Sequence, residues 1–223
     1  MKHHVSFDLE LRKNPYKGLY IAIEGIDGSG KTTQAKKLTA HFEKAGKFVV
    51  PTREPRKKGV VGSLIRKILR GELQVPPVSL QYLYTADRAI HHEEVIIPAL
   101  KDGKVVISDR CFWSAIPYGI LDRGEDYNID DAQLLLVSQG ILSMYHQFIV
   151  PDHTFYLRIS LSEAMRRIKE DKKEAEIYED ENKLRKIMKG YEWLIEKFPE
   201  AITVIDGEGS VDEVTGAILA KLE

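Results

Sequence analysis

The chain has 223 residues, 43% of them hydrophobic, with 33 Lys+Arg against 34 Asp+Glu for a formal charge of −1. That length favours one domain with a sizeable core, and the balanced charge gives no basic field of the kind that drives binding to a nucleic-acid polymer. The single cysteine, Cys111, excludes an internal disulfide framework and fits a reducing, cytoplasmic setting; no apolar run approaches the ~18 residues of a membrane span.

The first 17 residues are polar, lack an apolar signal core, and read as a frayed extension or a short extra strand. Adjacent His3 and His4 read as solvated rather than metal-binding. Tyr20 to Glu24 is the first strand. Residues 25–32 then read G-I-D-G-S-G-K-T, a complete G-x-x-x-x-G-K-T loop, and Ala35, Leu38 and Phe42 follow at helical spacing. A strand that delivers the loop and a helix that leaves it are the context in which backbone N–H groups converge on a phosphate. Gly25 and Gly30 permit the tight turn, Lys31 is spaced to reach β- and γ-phosphates, and the Thr32 hydroxyl suits Mg²⁺.

Gly46 ends the first helix, and Lys47 to Thr52 is a second strand. Val60 to Arg70 is a short amphipathic helix stopped by Gly71. Pro76-Pro77 starts a long helix to about Lys101, which Pro98 is expected to bend or break. Lys104 to Ser108 is the third strand, Asp130 to Gln147 a helix, Thr154 to Ser160 the fourth strand, and Ser162 to Glu170 a helix. A charged stretch from Lys169 to Lys183 leads into a helix carrying Leu184, Ile187, Met188, Tyr191 and Leu194, which runs until Pro199. Ala201 to Ile205 is the last strand and Val211 to Leu222 the closing helix. Strands alternating with helices imply an α/β fold with a mostly parallel, five-stranded sheet between two helical layers. Ligands of such sheets bind beyond the carboxyl ends of the strands.

Three groups of residues fall on that edge. Strand two ends in Thr52-Arg53-Glu54-Pro55 and strand three in Ser108-Asp109-Arg110. Each arginine beside a carboxylate is either a surface ion pair or part of a site. In the second case Arg53 and Arg110 suit bidentate phosphate recognition, and Asp109 suits Mg²⁺ or its water. On the long helix, Tyr84 and Arg88 share a face at i, i+4. The pair fits a base with its phosphate, or a core tyrosine beside a snorkelling arginine.

Together these elements resemble the thymidylate kinases, members of the P-loop nucleoside monophosphate kinases. The matching residues are Ile23 to Thr33, Thr52-Arg53-Glu54-Pro55, Tyr84 to Ala89, Ile97 to Leu100 followed by Ser108-Asp109-Arg110, and Pro151-Asp152 before Thr154 to Leu157. The resemblance implies a three-layer α/β/α P-loop NTPase fold with a small charged lid at about 170–180. It also implies transfer of the ATP γ-phosphoryl to thymidylate (dTMP). Gly25, Ile26, Asp27, Gly28, Ser29, Gly30, Lys31, Thr32 and Thr33 would hold ATP, and Thr32, Asp109 and Asp27 would hold Mg²⁺. Tyr84 would stack on thymine, Arg53, Arg88 and Arg110 would bind the acceptor phosphate, and Tyr118 would lie near the sugar's 2′ position, with Glu54 and Ser114 beside them. Lys31, Asp27, Arg110 and Arg167 would be catalytic, and a homodimer is implied.

The chain departs from the family in three places. Neither the loop interior, Ile26 to Ser29, nor the lid core, 170–176, contains the arginine that members commonly supply, although Arg166 and Arg167 lie just before the lid. Ala115 stands where a polar residue is frequent, and Cys111 where tyrosine or histidine is. The charged stretch is equally readable as a solvated helix face. The alternatives are a kinase for another nucleotide or a deoxynucleoside, and a nucleotide-binding regulatory protein.

Overall fold

The computed structural model describes residues 10–122, 131–171 and 177–222. The start of the N-terminal extension and the core of the expected lid lie outside the described residues. Among the described residues, β1 (Leu19–Glu24), β2 (Val49–Arg53), β3 (Val105–Asp109), β4 (His153–Arg158) and β5 (Thr203–Asp206) form one sheet in the order β2-β3-β1-β4-β5, with every pair parallel. The expected α/β architecture is therefore present, with strand boundaries shifted by one or two residues.

The two-residue period of the strands distributes the core. Ile21 and Ile23 of β1 and Val105 and Ile107 of β3 pack with Ala35 and Leu38 of α1 (Lys31–Lys44) and with Val214 and Ile218 of α9 (Val211–Leu219). Tyr20 and Val106 face the other layer, against Ile96, Ile97 and Leu100. Each fully buried isoleucine or leucine contributes roughly 1.5–3 kcal/mol. The same alternation carries into the site: Glu24 follows Tyr20 and Ala22, whereas Asp109 follows Val105 and Ile107 towards α1.

The long helix runs without a break as α3 (Pro77–His91), a π-helical turn (His92–Ile96) and α4 (Ile97–Lys101), and its junction residues keep right-handed helical dihedrals. Pro98 cannot donate to the preceding turn, and the widened turn just before it accommodates the ring. The remaining elements are α2 (Val60–Leu69), α5 (Ala115–Asp122), α6 (Asp131–Tyr145), α7 (Leu161–Glu170) and α8 (Glu181–Lys197).

A 3₁₀ turn at Phe112–Ser114 and helix α5 were not expected. The segment is apolar on nearly all sides and contains Pro117, so it shows no one-sided helical period. Residues 112–119 are all buried, as an apolar helix must be. Helix α8 starts earlier than its apolar pattern suggests, because the Asp180 side chain caps it by accepting from the Asn182 and Lys183 amides. The described part of the N-terminal extension is tied down rather than frayed. Arg12 bridges Ile149, and Asp152 accepts from both Asn14 and the Tyr20 amide.

From β1 the chain builds first one flank of the sheet, β2 and β3, and then the other, β4 and β5. The crevice at the carboxyl end of β1 lies at that switch of direction, where open parallel sheets bind ligands.

Candidate active site

The loop after β1 ends in Gly30, which caps α1 with φ 94° and ψ 9°; no side chain caps this end and its first turn holds no acidic residue. The free amides of the first turn and the helix dipole are therefore left for an anion. Gly28 is required twice over. Its φ is 82°, and a Cβ there would stand 2.7 Å from the Ala164 carbonyl of α7. Lys31 is 7% exposed and donates from Nζ to the Ile26 carbonyl at 2.7 Å, with Asp27 Oδ1 at 3.6 Å. Burial, and after it the Arg110 charge, bring its pKa down to about 8. Ser29 is buried and its hydroxyl has no hydrogen-bond partner among the described residues. Thr33 sits on the exposed side of the first turn.

Because Asp109 points to the α1 side, the Thr32 hydroxyl reaches it and donates to Oδ2 at 2.5 Å. The other oxygen, Oδ1, is buried and has no partner among the described residues. A buried carboxylate oxygen beside a threonine hydroxyl fits a hard cation or its water. Asp27, the third candidate ligand, lies beside Arg110 and Lys31. Burial raises its pKa, but Arg110 and Lys31 outweigh this and hold it at about 2.

Across the crevice, a pocket is lined by Asp27, Arg53, Glu54, Pro55, Arg66, Leu69, Tyr84, Arg88, Arg110, Ser114, Ala115, Tyr118 and Tyr178. Tyr84 and Arg88 thus share a wall, as their spacing on α3 requires. Arg88 does not snorkel: it is 5% exposed and donates from Nε to Glu54 Oε2 at 2.6 Å. Glu54, itself buried, also meets His91 Nδ1 at 3.2 Å. Burial works against its charge, yet Arg88 and His91 bring its pKa to about 2. Its carboxylate is thus committed to holding Arg88. Arg53 Nε and Arg88 Nη1 are buried and have no hydrogen-bond partner among the described residues.

Arg110 links pocket and loop. Its Nη1 donates to the Gly25 carbonyl at 2.9 Å, Ser114 Oγ at 3.2 Å and the Tyr191 hydroxyl at 3.3 Å. Its Nη2 donates to Asp27 Oδ1 at 2.5 Å and the Tyr118 hydroxyl at 2.8 Å. The residue has φ 75°, a left-handed conformation that costs a non-glycine residue ~1–3 kcal/mol and clusters at functional sites. Arg167 lies on the other side of the loop. Its Nε donates to Glu163, its Nη2 to the Gly207 carbonyl, and its Nη1 is 3.8 Å from where a Cβ on Gly30 would lie.

All the residues expected on the acceptor side, namely Arg53, Glu54, Tyr84, Arg88, Arg110, Ser114 and Tyr118, thus line one pocket. Thr32 and Asp109 meet on the α1 side. Sequence reasoning missed Glu24, Tyr191 and Tyr178. A carboxylate closing an apolar strand was a usable signal for Glu24. Tyr191 looks like any core residue of α8, and Tyr178 sits in a charged stretch with no period.

The thymidylate kinase family model matches residues 23–218. A probable thymidylate kinase of Pyrococcus horikoshii is 36% identical over 212 residues, covering 93% of this chain and 97% of the relative. A thymidylate kinase of Caldanaerobacter subterraneus is 36% identical over 213 residues, covering 93% and 96%. One of Chlorobium luteolum is 34% identical over 214 residues, covering 92% and 96%. With the loop, the arginine-lined pocket and these relatives in agreement along almost the whole sequence, the chain belongs to the thymidylate kinase family.

Proposed function

We propose that the residues of this site transfer the γ-phosphoryl group of ATP to the phosphate of dTMP, as one kinase unit with a lid at about 170–180. The chain is a dTMP kinase; the assignment of roles is our reading. An acceptor phosphate oxygen forms a bond to the γ-phosphorus as the bond to the β–γ bridging oxygen breaks, giving dTDP and ADP. The carrying observation is the buried guanidinium nitrogens of Arg53 and Arg88 that have no partner among the described residues, in a pocket that Arg110 joins to the phosphate loop.

In this reading Gly25 to Thr33 hold the donor, with Lys31 on the β- and γ-phosphates. Thr32 and Asp109 would hold Mg²⁺, which supplies charge neutralisation to the phosphates. Tyr84 stacks on the base, and Arg53, Arg88 and Arg110 fix the acceptor opposite. Asp27 holds Arg110 and Lys31 in mutual register, and Arg167 faces the loop from α7, where it serves as the catalytic arginine that the loop itself lacks. Such chemistry needs chiefly positioning and charge stabilisation. Ala115 leaves the pocket wall beside Ser114 apolar.

We also propose a cytoplasmic homodimer. Val78 and Tyr82 project from α3 at i, i+4 with 46% and 65% exposure, an apolar pair suited to a second copy. No helix among the described residues is long and apolar enough to cross a membrane. The test of function is ADP release over a panel of nucleoside monophosphates and nucleosides. We expect dTMP to lead; no turnover of dTMP above the no-acceptor background would refute the reading, and a preference for uridylate or a nucleoside would redirect it.

A further inference from the structure

Glu24 is a fully buried carboxylate at the end of β1. A buried charge must be satisfied by hydrogen bonds or a counterion. Here Oε1 accepts from the Cys111 amide at 2.8 Å and the Ser114 amide at 3.2 Å. Oε2 accepts from the Ser114 hydroxyl at 2.6 Å and the Tyr191 hydroxyl at 2.7 Å. Tyr191 comes from α8, far along the chain, and its ring packs on Tyr156 with centroids 4.8 Å apart. The same hydroxyl is 3.3 Å from Arg110 Nη1 and 3.0 Å from Ser114 Oγ.

A phenol donates one hydrogen bond and accepts others. The Tyr191 hydroxyl therefore donates to Glu24 and accepts from Arg110, standing between a buried anion and the arginine at the centre of the site. Burial and then Glu24 raise the Tyr191 pKa well above the ordinary value, so the proton stays on the phenol. Arg110 needs such support, since its backbone is held in a left-handed conformation by the Ile23 carbonyl, which accepts from its amide at 2.9 Å, and by Ser108 Oγ, which donates to its carbonyl at 2.6 Å.

We propose that Tyr191, backed by Glu24, is a positioning residue that fixes the Arg110 guanidinium for the acceptor phosphate. This rests on the reading of Arg110 as an acceptor-phosphate ligand. The hydroxyl holds the Nη1 edge against Gly25 and Ser114, which leaves the Nη2 edge directed at Asp27 and Tyr118.

The test is steady-state kinetics of Tyr191→Phe, which keeps the ring and removes only the hydroxyl. We expect the KM for dTMP to rise ~10–150-fold, the range of one lost hydrogen bond to a charged group, while the KM for ATP stays within about twofold. In an Arg110→Lys background the same change should add little, since its target is gone. Glu24→Gln should give the same acceptor-selective rise, and it carries the test if Tyr191→Phe fails to fold. Wild-type acceptor kinetics, an equal rise in both KM values, or full additivity with Arg110→Lys would each overturn the proposal. If the wild-type enzyme itself turns over no dTMP, the reading of the site fails first.

Discussion

Replacing Glu54 with glutamine removes one charge from the pocket and almost no volume. In the native protein the carboxylate accepts from Arg88 at 2.6 Å and meets His91 at 3.2 Å while only 3% exposed. The amide keeps one acceptor for Arg88 but leaves that buried guanidinium without a counterion. The gap between the ordinary carboxyl value of 4.5 and about 2 here converts to about 3 kcal/mol favouring the charged, folded form. That agrees with the roughly 3–5 kcal/mol typical of breaking a buried pair.

For a domain of this size, the expected fall in Tm at pH 7 is roughly 6–12 °C. The sign with pH follows from the lowered pKa: the contribution is fully present above about 4.5 and is lost as pH falls towards about 2. The gap in Tm between wild type and Glu54→Gln should therefore begin to narrow as pH drops below about 5. Calorimetry across pH 4–7 measures this, and acceptor kinetics measure the second effect. With Arg88 loosened, the KM for dTMP should rise about tenfold, equivalent to ~1.4 kcal/mol. A Tm within 2 °C of wild type at pH 7, together with an unchanged acceptor KM, would refute both the role of Glu54 and that of Arg88.

Lys31→Ala should abolish transfer while leaving the fold intact, because Lys31 is the side-chain cation buried inside the loop; a wild-type kcat would sink its assignment to the donor phosphates. Tyr84→Ala should raise the acceptor KM far more than that for ATP, on the scale of ~1–3 kcal/mol for a lost stacking partner; equal effects would make Tyr84 a core residue. His92, stacked on Phe148 with centroids 4.8 Å apart, has its pKa lowered to about 4 by burial. Between about 6.5 and 4 the unfolded chain takes up a proton that the folded one refuses, so stability falls as pH drops through that window, by at most about 3 kcal/mol. His92→Phe should flatten this limb of a Tm-against-pH curve, and an unchanged slope would count against the buried neutral imidazole.

The layered fold was legible because its signals are local. Apolar strands with a period of two, glycine at the ends of helices, and a phosphate loop between a strand and a helix need no distant partner to be read. The loop residues, Thr32 with Asp109, and the arginines at the strand ends were legible for the same reason: the carboxyl edge of a parallel sheet gathers them whatever the details of packing. Helix α5 was not legible, since a helix buried on all sides shows no period.

Nor were the connections that give the site its shape. Glu54 is 34 positions from Arg88 and 37 from His91, and Tyr191 is 167 from Glu24. Pairing at such separations depends on how helices dock across the sheet, and no residue announces it. The amino-acid sequence determined by itself which groups would reach the sheet edge: a lysine, a threonine and Asp27 on the loop, and opposite them Glu54, Asp109 and three arginines. The tertiary structure decided which of those charges are spent on one another and which are left for a ligand. Buried charges pair with one another where the packing brings them together, so Glu54 goes to Arg88 and Asp27 to Arg110, while Arg53 Nε, Arg88 Nη1 and Asp109 Oδ1 have no partner among the described residues.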